Sequence, residues 1–208
     1  PLGAAVAARF ILGGMDPFFA TILSMLTGML AGLVTGILNT KLKIPSLLSG
    51  ILSMTGLYSI NLRVMGKANL PLLRQDTIIT RVTSLGFETD TAVIIVGVVS
   101  VLAVILILWW FFGTEKGFAI RATGDNSNMI RALGVNTNSM VILGLVISNG
   151  LIALSGGIMA QYNGYADVGM GTGTIVIGLA SVIIGEVLFG NTSILRSLFA
   201  VVLGSILY

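Results

Sequence analysis

The residues that could do chemistry are few, and their types exclude most of it. Among 208 residues there is no histidine and no cysteine, against 11 lysines and arginines and 8 aspartates and glutamates. Without imidazole or thiol there are no catalytic triads of the usual kind, no thiolate nucleophiles, no disulfides and no imidazole metal sites. No GxxxxGK[ST] phosphate loop is present, so nucleotide chemistry must come from elsewhere. No cofactor is expected, and a net charge of +3 is too small to point to nucleic acid. What remains are lone polar groups in apolar runs. Glu186 stands near the end of TIVIGLASVIIGEVLFG, and Asn149 stands in the middle of VISNGLIAL. Placing Asp, Lys or Arg in a membrane span costs about 2.5–3.5 kcal/mol at the bilayer centre and less towards its ends. Glu186 is therefore expected to face the bundle or the interface, either as an acid paired with Arg196 or a neighbouring subunit, or as a gate group on a solute pathway. Asn149 is read as an interhelical hydrogen-bond former or as a solute contact.

The runs around these residues identify the solvent. Hydrophobic residues make up 55% of the chain and charged residues 9%, with a mean hydropathy of +1.03. A soluble domain carries about 25% charged residues, so lipid replaces water over most of this surface. A helix needs roughly 20 apolar residues to cross about 30 Å of hydrocarbon. Stretches of about this kind lie at 1–13, 18–38, 44–62, 92–112, 139–160, 173–189 and 194–208. The expected fold is all-α, a polytopic transmembrane helix bundle of about seven spans, forming one domain over 1–208. The first and last spans are expected to be partial and the chain truncated at both ends. The opening run lacks the basic start of a signal peptide.

Basic residues flanking the spans set the orientation. With 113–138 cytoplasmic, Lys41, Lys43, Lys116, Arg121, Arg131 and Arg196 lie inside, and Arg63, Lys67, Arg74 and Arg81 lie outside. The polar connection 63–91 is then external, either a docking surface with a short helix or a solvated loop. Trp109 and Trp110 fall at the inner boundary, where an aromatic belt accounts for them. Within the spans, Gly28, Gly32 and Gly36 form a double GxxxG on one face of 18–38. Gly156 and Gly157 add small residues to 139–160. Such residues let backbones approach where lipid supplies no hydrophobic drive for helix association.

The loop 113–138, GTEKGFAIRATGDNSNMIRALGVNTN, carries the most information. Its spacing predicts a short helix near 125–133, capped by Asp125 or Asn126, with Met129, Ile130 and Leu133 apolar at helical intervals and Gly134 as a left-handed stop. Two turns are too short to stand alone in water, so the apolar residues require something to dock against.

At these residues the chain resembles the permease subunits of bacterial ABC importers of the branched-chain amino acid and ribose type. The order GFAIRATGDN, then ALGV, then ALSGG carries the resemblance, with Arg121, Ala122, Gly124, Asn126, Ala132, Leu133 and Gly134 at the matching positions. It continues through SGGIMAQYNGY and IIGEVLFG, although Gly185-Glu186 stands where many members have two glycines. The texture of KIPSLLSGILSMTGLYSIN is similar to permeases found with lipoprotein-type binding proteins for tryptophan or tyrosine. The resemblance implies that 113–138 is a cytoplasmic coupling loop, with Arg121, Gly124, Asp125, Asn126, Met129, Ile130, Arg131, Ala132, Leu133 and Gly134 docking an ABC ATPase. It also implies an extracytoplasmic binding protein, a second permease copy and a site in the bacterial inner membrane. A secondary transporter or channel independent of ATP is the alternative reading. The single clear intramembrane acid speaks against it.

Overall fold

The structure is a computed structural model and describes residues 1–73, 75–190 and 193–208. In chain order its elements are α1 (Leu2–Leu12), α2 (Pro17–Thr40), α3 (Ser46–Met65), β1 (Asn69–Pro71), α4 (Ile78–Thr83) and α5 (Thr89–Phe112). There follow α6 (Glu115–Asp125), α7 (Ser127–Ala132), α8 (Thr137–Asn163), β2 (Tyr165–Asp167), α9 (Thr174–Phe189) and α10 (Ile194–Leu207). Each of the seven expected spans is a helix, with ends shifted by a few residues. Of these, α2, α5 and α8 are long and apolar enough to cross a membrane, while α1, α9 and α10 are shorter apolar helices. Arg74 of the external basic set, and 191–192, lie outside the described residues.

The described residues divide into two compact units, 1–96 with 119–170, and 97–118 with 171–208. In the first, α1 packs against α2, α3 and α8. Its Ala4, Ala5, Ala7 and Ala8 are fully buried, because alanine leaves room for neighbouring backbones. Asp16 caps α2, its Oδ1 accepting from Phe18 N–H at 2.9 Å, and Pro17 fills the first turn, where no amide donor is needed.

Gly66 (φ 73) ends α3 and Gly164 (φ 72) ends α8, both in the left-handed region that glycine enters without strain. These two stops feed β1 and β2, which pair antiparallel with Asn69 opposite Asp167, Leu70 opposite Ala166 and Pro71 opposite Tyr165. Leu70, Leu72, Ala166 and Val168 join Met65 and Ala4, Ala5 and Ala8 of α1 in one apolar cluster. The connection 63–91 is thus tied down by a strand and by α4, whose Thr77 and Thr80 form a reciprocal capping box.

In the second unit α9 and α10 run antiparallel. A Cβ at Gly185 would run into the Ala200 carbonyl, and one at Gly204 into the Ser181 carbonyl. Two glycines therefore set this approach, again through bare backbone.

Candidate functional site

The segment 113–138 folds into two helices separated by one residue. Thr114 Oγ1 accepts from Gly117 N–H at 3.3 Å at the start of α6. A Cβ at Gly117 would collide with the carbonyl of Phe111, so glycine is what lets the chain turn so tightly out of α5. The short helix expected near 125–133 is α7, capped by Asn126 and not by Asp125; unexpected is the helix α6 before it, which ends at Asp125 and leaves Asn126 alone between the two. Its backbone is extended and its Oδ1 accepts from Met129 N–H at 3.0 Å, which caps α7. Gly134, at φ 85, follows the end of α7.

The apolar residues of α7 part company. Met129 and Leu133 are 58% and 68% exposed, whereas Ile130 is 7% exposed. The expectation that all three present one docking face is therefore corrected for Ile130, which anchors the loop from within. Arg131 helps to hold α7 against α8, its guanidinium donating to Thr137 Oγ1 at 2.9 Å. Arg121 and Gly124 lie on exposed positions of α6, and Ala132 closes α7.

Behind this loop stands the α2–α8 pair, antiparallel and in backbone contact. A Cβ at Gly28 would meet Ala153 and, at 2.6 Å, the Asn149 carbonyl; at Gly32, the Leu145 carbonyl; at Gly36, Ile142 at 3.1 Å. From the α8 side, Gly157 faces Ser24 Oγ, which a Cβ would approach to 2.7 Å, while Gly156 has an ordinary 3.4 Å spacing to α1. Asn149 does not bridge helices. Its Nδ2 donates to the Leu145 carbonyl one turn back in α8 at 2.9 Å, so its amide is satisfied locally. Glu186 is exposed on α9.

Two polar side chains matter that the sequence reading passed over. Gln161, 4% exposed, donates from Nε2 to Thr21 Oγ1 at 2.7 Å and to the Gly157 carbonyl at 3.2 Å, and its Oε1 accepts from Ile78 N–H at 3.0 Å. One buried amide thereby fastens the start of α4 to α2 and α8. The Arg81 guanidinium pairs with Asp16 beside it. The Phe18 N–H first, and that guanidinium second, hold the Asp16 carboxyl below the usual carboxylate range. The other is Asn61, 3% exposed, whose Oδ1 has no partner among the described residues. Leaving a buried acceptor unfilled costs about 1–3 kcal/mol. Its fourfold spacing from Ser49 and Ser53 in α3 was the available signal.

Comparison with known proteins follows the same lines. The family model described as "Branched-chain amino acid transport system / permease component" matches residues 1–208. A tyrosine transport system permease protein of Clostridioides difficile is 45% identical over 207 residues, covering 100% of this chain and 68% of that protein. An uncharacterised protein of Rickettsia prowazekii is 33% identical over 211 residues, covering 100% of this chain and 72% of the relative. The autoinducer 2 import system permease protein LsrC of Yersinia pseudotuberculosis is 29% identical over 208 residues, covering 99% of this chain and 55% of that protein. No solved structure matches the chain. Helices fit to cross a bilayer and a match along the whole chain agree: the protein belongs to the branched-chain amino acid transport permease family, as a multi-pass permease component of an ABC-type transport system in the bacterial inner membrane.

Proposed function

We propose that this chain is the membrane-spanning subunit of an ATP-driven importer for an amino acid, of the aromatic or branched-chain kind. The observation that carries this reading is the 45% identity to a tyrosine transport permease along the entire chain. In this reading residues 1–208 form one permease domain and catalyse nothing. Two copies build the pathway, an extracytoplasmic binding protein delivers the solute to the side of 63–91, and an ATPase supplies the work from the side of 113–138.

The exposed Met129 and Leu133 of α7 are the docking residues for that ATPase. They stand among Asn126, Asn128, Arg131 and Asn136, so this surface meets water or protein, not hydrocarbon. Two apolar side chains uncovered in such surroundings fit a groove on a partner. Closure of the ATPase pair would then move α7, and α8 with it through the Arg131–Thr137 bond and the buried Ile130.

The test is uptake of labelled L-tyrosine by the full permease, reconstituted in vesicles with its ATPase and binding protein. Accumulation is expected only with ATP on the α7 side. Equal accumulation without ATP would return the reading to a secondary transporter.

A further inference from the structure

Every fourth residue of α3 from Ser49 to Met65 falls on one stripe: Ser49, Ser53, Leu57, Asn61 and Met65. This is the buried side of the helix, since Ser49, Asn61 and Met65 are 1%, 3% and 3% exposed while Leu47 and Met54 opposite are 80% and 68% exposed. It packs on α1 and α2. The two serines are satisfied. Ser49 Oγ donates to the Ser46 carbonyl at 2.9 Å, and Ser53 Oγ accepts from Thr35 Oγ1 of α2 at 2.7 Å. Asn61 Oδ1 is different: among the described residues it is the one buried side-chain polar atom without a partner.

Such an atom is costly when burial keeps water from it. A buried acceptor left unfilled calls for an explanation in something outside the chain. Asn61 and Met65 are sealed here, whereas Ser53 and Leu57 are half-buried, so α3 must part from α1 and α2 at its Asn61 end before a donor can enter. Turns bound α3 at both ends. Lys43, on the approach to α3, has φ 52, and Gly66 at its far end has φ 73. Gly50 and Gly56 within α3 face open space, whereas Gly28 and Gly32 of α2 are locked against the α8 backbone. The first unit thus sets one less closely packed helix against an α2–α8 seam in backbone contact.

We propose that Asn61 is a solute contact on the transport path, its Oδ1 accepting an N–H from the ammonium group of the transported amino acid when α3 parts from α1 and α2. This deepens the importer reading above and rests on it. An amino acid carries three ammonium donors into any path it follows, and loses water from them as it enters a closed one. Asn61 offers a neutral acceptor, which takes such a donor without trapping it as a carboxylate would.

The 208 residues contain no cysteine, so Asn61→Cys in the full permease–ATPase complex reports access directly. In vesicles, an ammonium-bearing methanethiosulfonate is expected to label it in at least one nucleotide state. Saturating L-tyrosine with the binding protein is expected to slow that labelling by about tenfold. No labelling in any state, or labelling indifferent to L-tyrosine, overturns the proposal. Asn61→Leu keeps the branched shape and removes the unfilled acceptor, so it is expected to fold and insert as the parent does while KM for L-tyrosine uptake rises about tenfold. An unchanged KM would mean that water alone fills this acceptor, and the contact would be refuted. ATP-independent uptake with intact, solute-sensitive labelling would sink the importer reading and leave Asn61 on the path.

Discussion

The α2–α8 seam and the α7 helix use side chains in opposite ways. In the seam, Gly28, Gly32 and Gly36 have given theirs up, and the α8 backbone occupies the space. On α7, Met129 and Leu133 extend theirs away from the fold. The contrast teaches that apolar exposure has no fixed meaning. On α5, where Ile94, Val98, Leu106 and Trp110 are all exposed, it matches a lipid solvent. On α7, among asparagines and arginine, the same exposure is what the proposed docking to an ATPase groove would use. Cohesion inside the bilayer comes from small residues and close backbones, and the proposed coupling outside it would use large ones.

The strongest way to break this comparison is to put a side chain back into the seam. Gly32→Leu would drive the Leu145 carbonyl away from α2 and is expected to cost about 3 kcal/mol or more. Gly50→Leu, at a position with nothing within 4 Å, is the matched control. Melting of the purified permease in detergent checks both, and similar melting for the two would show that the seam does not hold the unit together.

The second prediction divides α7 against itself. Ile130→Asp buries a charge and is expected to cost about 2–3 kcal/mol of local stability. Leu133→Asp, at an exposed position, should leave melting unchanged and reduce co-purification of the ATPase by about tenfold, or about 1.4 kcal/mol. If Leu133→Asp keeps full ATPase binding and full uptake, α7 is not the coupling element.

Removing the cap is a gentler cut. Asn126→Ala deletes the acceptor for Met129 N–H and is expected to cost about 1 kcal/mol. Amide exchange at Met129 and Ile130 should quicken while the α2–α8 amides stay protected, and Asn126→Asp should restore the cap.

The smallest effect concerns Asp16. Its carboxyl is held below the usual range in the fold, so its contribution is present above the ordinary aspartate value. It is lost as pH falls through the lowered folded value, below about pH 4. Exposure keeps the effect modest and salt-sensitive. Asp16→Asn should remove that acid-side dependence from the melting curve, and an unchanged curve would mean that the Arg81 pair contributes nothing to holding α4.

How much was legible follows from where the physics is local. Spans are one-dimensional, since apolar length against bilayer thickness is readable residue by residue, and each expected span is a helix. The α7 cap and stop depend on neighbours three to five residues away, so Asn126 and Gly134 could be named, although the extent of α6 could not. Side-chain partners were another matter. Asn149 was read as an interhelical hydrogen-bond former or a solute contact, and its Nδ2 donates to Leu145 in its own helix. A polar residue in a span has a partner one turn back that no pattern distinguishes from one on a neighbouring helix.

Composition and periodicity by themselves determined that this protein lives in lipid and that its spans are helices; transport entered through the resemblance carried by GFAIRATGDN, ALGV and ALSGG. Lipid and helices follow from solvent transfer and helical spacing, which act along the chain. Only the tertiary structure decided that Ile130 is buried while Leu133 is free, that Gln161 ties α4 to α2 and α8, and that Asn61 is sealed without a donor. Each depends on which helix lies opposite and at what height. That is set by packing between residues as far apart as Thr21 and Gln161, at distances that sequence order does not encode.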